Sequence, residues 1–124
     1  MLLILSVKII DTRSQHYGQI KYILVNNGQI TQIGDQLEAP GAEILEGKNW
    51  HISTGWVDMR VSSHDPGHEH KEDLTTACEA AAAGGFTEIA VLPNTQPALD
   101  SKNTLVYVKQ KAIGQIVTVH PIGA

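Results

Sequence analysis

The sequence predicts an α/β protein in two parts, a small all-β unit followed by a parallel α/β unit. Three observations predict it. An Asn-Asn-Gly turn joins two apolar stretches in the first half. Apolar runs suited to buried strands alternate with helically spaced apolar residues in the second half. Capping residues and glycines mark where those helices start and stop.

In the first half, Leu2 to Ile10 is apolar and rich in branched residues, which fits a buried strand. Asp11 to Gly18 is polar and ends on glycine, as a turn does. Ile20 to Val25 and Gln29 to Ile33 flank Asn26-Asn27-Gly28. Asn-Gly is a strong hairpin signal, because both residues tolerate positive φ. Ala39-Pro40-Gly41 is a further turn, and Glu43 to Leu45 reads as a short strand.

The pattern changes after Ile52. Trp56 to Ser62 alternates as a strand, and the loop Ser63 to His70 carries Pro66-Gly67. Lys71 to Ala83 reads as a helix, with Glu72 and Asp73 in its first turn, where the helix dipole favours acids. Its apolar face runs through Leu74, Ala77, Cys78 and Ala81. Gly84-Gly85 ends it, since glycine accepts the left-handed conformation of a helix terminus. Glu88 to Leu92 is a near-continuous apolar run, as in a strand buried on both faces. Asp100-Ser101 caps a second helix, Lys102 to Ala112, with Leu105, Val108 and Ala112 on one side. Gly114 stops it, and Ile116 to Ile122 forms a third strand. Strand–helix–strand–helix–strand order implies a parallel sheet with crossover helices. Three such strands leave a sheet edge and apolar surface uncovered, so the chain is expected to be part of a longer protein or to self-associate as a homo-oligomer.

At 124 residues the chain can bury a core. A formal charge of −4 argues against nucleic acid, which needs surplus Lys and Arg. The opening Met1-Leu2-Leu3-Ile4-Leu5 lacks a preceding basic residue, and Lys8 interrupts it early, so a strand is preferred to a targeting segment. No run approaches the roughly 18 apolar residues of a membrane span. A single cysteine, Cys78, excludes an intrachain disulfide and points to a cytoplasmic setting.

Working residues of parallel α/β folds lie in loops at the C-terminal ends of the strands. Two such loops are available here. One carries Ser63-His64-Asp65-Pro66-Gly67-His68-Glu69-His70, and the other Pro93-Asn94-Thr95-Gln96-Pro97.

Gly55-Trp56-Val57-Asp58-Met59, Asp65-Pro66-Gly67, Lys71-Glu72-Asp73, Ala80 to Phe86 and Pro93-Asn94-Thr95-Gln96-Pro97 together resemble the dihydroorotase signature, in order and in spacing. The resemblance extends over essentially this whole chain but only the first part of the family's length. It implies that residues 1–54 belong to an N-terminal β-sandwich. It implies too that residues 55–124 begin a (β/α)8 TIM-like barrel of the amidohydrolase superfamily, cut off after three strands and two helices. It further implies a binuclear zinc site and the reversible closure of carbamoyl-aspartate to dihydroorotate in pyrimidine biosynthesis. Metal-bound hydroxide carries that hydrolysis, because zinc lowers the pKa of its water.

In the family the first barrel strand supplies two metal ligands as His-x-His, a spacing that points both imidazoles to one side of a strand. Here those positions hold Arg60 and Ser62. A guanidinium stays protonated and repels a dication, and a hydroxyl is a weak zinc ligand. The family's substrate arginine corresponds to His64. Asp58 matches the family's acidic residue, and Asn94 matches the asparagine that contacts the substrate carboxylate. The family's later ligands and its acid–base aspartate come from strands that lie beyond Ala124.

Blander accounts compete at each position. His68-Glu69-His70 is another His-x-His, and with His64 it is the remaining metal candidate. It lies in a loop, where a shared direction is not guaranteed, so a solvated loop is preferred. His120 in the third strand reads as a structural histidine, and Cys78 as a small buried residue with no base to activate it. His16 and His51 receive no role. The sequence therefore predicts a dihydroorotase-family protein without catalytic residues of its own and without a metal in this chain. Such a pseudoenzyme would have a structural role, and family resemblance suggests aspartate transcarbamoylase as the partner. The rival is an active zinc enzyme that uses His64, His68 or His70.

Overall fold

A computed structural model describes residues 1–124. The chain divides into two compact units, Met1–Thr54 and Gly55–Ala124.

The first unit contains β1 (Leu2–Ile9), β2 (Ile20–Asn26), β3 (Gln29–Gly34), β4 (Glu43–Leu45) and β5 (His51–Ile52). All five lie in one sheet of order β3-β2-β1-β4, with β5 also pairing with β1. The hairpin of β2 and β3 turns on Asn27 and Gly28, both at positive φ (49° and 75°), as the Asn-Gly signal requires. β1 is central and antiparallel to β2, and its register slips between Ile4 and Val7. Ser6 sits at that bulge with a φ of 52°. Leu3, Val7, Ile9, Ile23 and Leu24 are its buried residues, and consecutive Ile23 and Leu24 point to opposite faces of the sheet. β5 is an element that the sequence patterns do not suggest. Two residues are too few for a periodicity, and they become a strand only by pairing with Lys8 and Ile9.

The second unit contains β6 (Trp56–Val61), α1 (Leu74–Ala83), β7 (Phe86–Val91), α2 (Lys102–Lys111) and β8 (Thr118–Pro121). The three strands form a parallel sheet of order β6-β7-β8. Leu74, Cys78, Ile89, Val91, Leu99, Val108 and Val117 make its core, with Val61, Ala81, Leu105, Ala112 and Val119 packed around them. Leu74 and Ile89 are almost completely buried, and burial of side chains this size stabilises by about 2 kcal/mol each. Neither helix is long and apolar enough to cross a membrane.

Several boundaries differ from the sequence expectation. α1 begins at Leu74 rather than Lys71, so Glu72 and Asp73 are not in its first turn. Asp73 is instead the extended N-cap, and its carboxylate accepts the Thr76 N–H at 2.8 Å. Glu69 to Lys71 are drawn into a separate turn, in which the Lys71 N–H donates to the His68 carbonyl at 2.9 Å. β7 starts at Phe86 rather than Glu88, because Phe86 pairs in register with Trp56 and their rings meet edge-on at 5.9 Å. β8 starts at Thr118 rather than Ile116. Its ladder with β7 opens at Glu88–Thr118, and Ile116 is left exposed.

Candidate functional site

β6 and β7 are parallel neighbours, so the loops that follow them emerge side by side at one end of the sheet. Backbone bonds tie the two loops together. The Leu92 N–H donates to the Val61 carbonyl at 2.8 Å, and the Gln96 N–H to the Pro66 carbonyl at 2.9 Å. Gly67, at a φ of 108°, lies so close that an added Cβ would fall 2.1 Å from the Gln96 carbonyl oxygen. Each loop contains one cis proline, Pro66 and Pro97.

Asp65 is the best-held side chain of this region. Its carboxylate is fully buried, and each oxygen is satisfied. Tyr107 Oη donates to Oδ1 at 3.0 Å, and the Leu74 N–H donates to Oδ2 at 3.1 Å. Lys111 Nζ forms an ion pair with the same Oδ2. Asp65 therefore binds the start of α1 and the last turns of α2 to the loop after β6. The carboxylate raises the Lys111 ammonium above the usual lysine range. Desolvation, and then the carboxylate, raise the Tyr107 phenol. Sequence reasoning took Asp65 as part of a motif and did not single out Tyr107 or Lys111. Their spacing of four on one helix face was the available signal.

Asn94 and Ser62 are brought together, with Asn94 Nδ2 donating to Ser62 Oγ at 3.0 Å. Arg60 is exposed, and its guanidinium forms no ion pair. Its backbone N–H donates to Asp58 Oδ1 at 2.9 Å, across the bulge that separates the paired positions Asp58 and Val61. His64 is half-buried at a φ of 55°, and its carbonyl accepts the His68 N–H at 2.8 Å. The rings of His68 and His70 stand edge-on with centroids 6.0 Å apart. Glu69 turns back to accept the Gly67 N–H at 3.0 Å, a bond that lowers its carboxyl pKa. No three His, Cys, Asp or Glu side chains converge in a metal-holding group.

His120 Nε2 lies 2.7 Å from Glu88 Oε2, a cross-strand pair on β8 and β7 that sequence reasoning missed. Strand pairing alone places Glu88 beside Thr118, and the contact is a diagonal one. Cys78 is fully buried, and burial raises its thiol pKa, which suits a packing role.

Comparison with known proteins gives one consistent result. The profile of the family described as Dihydro-orotase-like matches residues 51–122. A dihydroorotase of Geobacter metallireducens is 42% identical over 126 residues, covering 99% of this chain and 29% of the relative. A dihydroorotase of Acetivibrio thermocellus is 40% identical over 117 residues, covering 94% of this chain and 27% of the relative. The chain thus spans under a third of the length of these relatives. Among solved structures, the L-hydantoinase (dihydropyrimidinase) of Arthrobacter aurescens superposes over 98% of this chain and 27% of its own, with a TM-score of 0.74 at 20% identity. A D-hydantoinase superposes over 96% of this chain and 26% of its own, with a TM-score of 0.73 at 24% identity. These two likenesses concern the fold.

Proposed function

Because the chain belongs to the dihydroorotase-like family, we propose that it is a non-catalytic member of it, contributing a scaffold to pyrimidine biosynthesis rather than hydrolysing a cyclic amide. In this reading the second unit is the opening of a (β/α)8 barrel. The sheet of β6, β7 and β8 would be three of its eight strands, and the first unit part of the accompanying β-sandwich. The observation that carries the reading is the pair of residues at the end of β6. By the family resemblance, Arg60 and Ser62 take the motif positions of the two imidazoles that would grip zinc.

Those residues do not fit the metal. A guanidinium has no lone pair to donate and adds positive charge, and the Ser62 hydroxyl is already engaged by Asn94. Asp58 offers a carboxylate, but one oxygen is bonded to the Arg60 backbone. No step of hydrolysis can therefore be routed through a metal at this position. What the loops retain is shape: Asn94, Gly67 and the prolines keep the two strand ends joined. A retained surface without chemistry suits a structural role beside aspartate transcarbamoylase or a second copy of the chain.

The test is metal content together with turnover. Protein purified with zinc present should hold none after desalting and should not hydrolyse dihydroorotate above the rate of a blank. Tightly held zinc that disappears on replacing His64, His68 and His70 would overturn the reading in favour of an active enzyme with unusual ligands.

A further inference from the structure

The most prominent unassigned feature lies on the first unit, on the outer face of its sheet. A groove of about 580 Å³ opens there, within the range of small-molecule sites. Its floor is a row across three adjacent strands. Lys8 of β1 is paired with Ile20 of β2 on one side and with His51 of β5 on the other, so all three side chains point to the same face. Lys48 and Trp50 form the wall.

Charge accounting makes this groove unusual. The unit has four basic side chains of Lys and Arg type: Lys8, Arg13, Lys21 and Lys48. Arg13 is paired with Asp11 at 3.1 Å, and Lys21 with Asp35 at 2.6 Å. Lys8 and Lys48 are in no ion pair, and both line the groove, in a chain of net charge −4. No carboxylate lines the groove, and Glu46 lines an adjoining recess that shares Ser6, Gly47 and Lys48 with it.

Trp50 is fixed rather than floppy. Its indole packs so tightly on Gly47 that a Cβ added there would fall 1.9 Å from Cε2, and its carbonyl accepts the Lys8 N–H at 2.9 Å. The residue is nevertheless 42% exposed. The backbone is forced at both sides of the groove, with Ser6 and Asn49 at φ values of 52° and 61°. Non-glycine residues adopt such conformations at a cost, and binding sites are where that cost tends to persist.

We propose that this groove binds a small anion carrying a planar ring, of the mononucleotide class. Its phosphate lies between the Lys8 and Lys48 ammonium groups and its ring rests against the Trp50 indole. Lysine supplies a point charge to phosphate, and an exposed rigid indole offers a stacking face to any base. No bond is made or broken.

Calorimetric titration of the purified chain with adenosine monophosphate, adenosine and inorganic phosphate tests this. The same titration in a Trp56→Phe background, read by fluorescence, leaves Trp50 as the only indole. The monophosphate should bind and quench Trp50 saturably, with adenosine weaker by about tenfold or more, the scale of one lost charged contact. Lys8→Gln with Lys48→Gln should lower affinity for the monophosphate by at least that factor and leave adenosine unchanged, with circular dichroism confirming an intact fold. Equal binding of monophosphate and adenosine, or monophosphate binding unaffected by the lysine changes, would overturn the proposal. Phosphate binding as tightly as the monophosphate, without quenching, would remove the ring from it.

Discussion

Lys111 donates its ammonium to Oδ2 of Asp65, a residue 46 positions earlier, and this ion pair closes the end of α2 onto the loop after β6. The carboxylate is completely buried, while the lysine side chain keeps 33% of its exposure. The pair is asymmetric: losing the acid strips a lysine that can still reach water, whereas losing the base leaves a buried charge.

Lys111→Met should therefore cost more stability than Asp65→Asn. Removing one partner of a buried pair costs about 3–5 kcal/mol, and partial solvation of the lysine brings Asp65→Asn nearer about 2 kcal/mol. Urea midpoints of the two variants decide the order, and the reverse ranking would mean that Asp65 is not buried in solution.

Alkaline pH should loosen the same contact. Lys111 and Tyr107 both have folded pKa values raised above their ordinary 10.5 and 10.0. A raised pKa contributes stability that is fully present below the unfolded value and is lost as pH climbs through the folded one. Melting temperature should hold up to about pH 10 and then fall more steeply than that of Lys111→Met. Parallel curves would dismiss the pair as a stabilising unit.

The helix caps should separate by pH. Asp73 has its carboxyl pKa lowered, first by the Thr76 N–H, so its contribution is present above about 3.8 and disappears as pH falls through the lower folded value. Ser101 accepts the Thr104 N–H at the start of α2 with a hydroxyl that does not titrate in this range. Asp73→Ala should be destabilised at pH 7 and converge on the unaltered protein in strong acid. Ser101→Ala should lose about 1 kcal/mol at both. Denaturant midpoints at the two pH values provide the comparison.

Gly67→Ala should separate the two loops. The new methyl would fall 2.1 Å from the Gln96 carbonyl oxygen, far inside van der Waals contact, at a φ that L-residues avoid. A loss of about 1–3 kcal/mol is expected, with weakened protection of the Gln96 amide from hydrogen exchange. An unperturbed amide would show that the loops do not depend on this approach.

Arg60→His combined with Ser62→His should create zinc affinity at the end of β6. Two imidazoles replace a guanidinium and a hydroxyl, and the Asn94 bond to Ser62 is released. Zinc retained after desalting by the double variant alone is the expected result. Zinc retained equally by both proteins would contradict the metal-free reading of β6.

Much of the fold was legible because its signals are local. Asn27-Gly28 is a turn by its own backbone preference, and Ser101 caps α2 through a neighbour three residues away. The helical spacing of Leu74, Ala77 and Cys78 marked the buried face of α1 before any packing was known. The identities of Arg60 and Ser62 were equally plain, since identity at a position is a property of sequence.

The tertiary structure decided what depends on residues far apart in the chain. Where α1 begins turns on Asp73 taking the cap while Asp65, nine positions before Leu74, takes the Leu74 N–H. Only folding brings Tyr107 and Lys111 to Asp65, Glu88 to His120, and the two unpaired lysines to one groove. Periodicity and capping act over a turn of chain, whereas burial of a charge is settled by whichever partners the completed packing delivers.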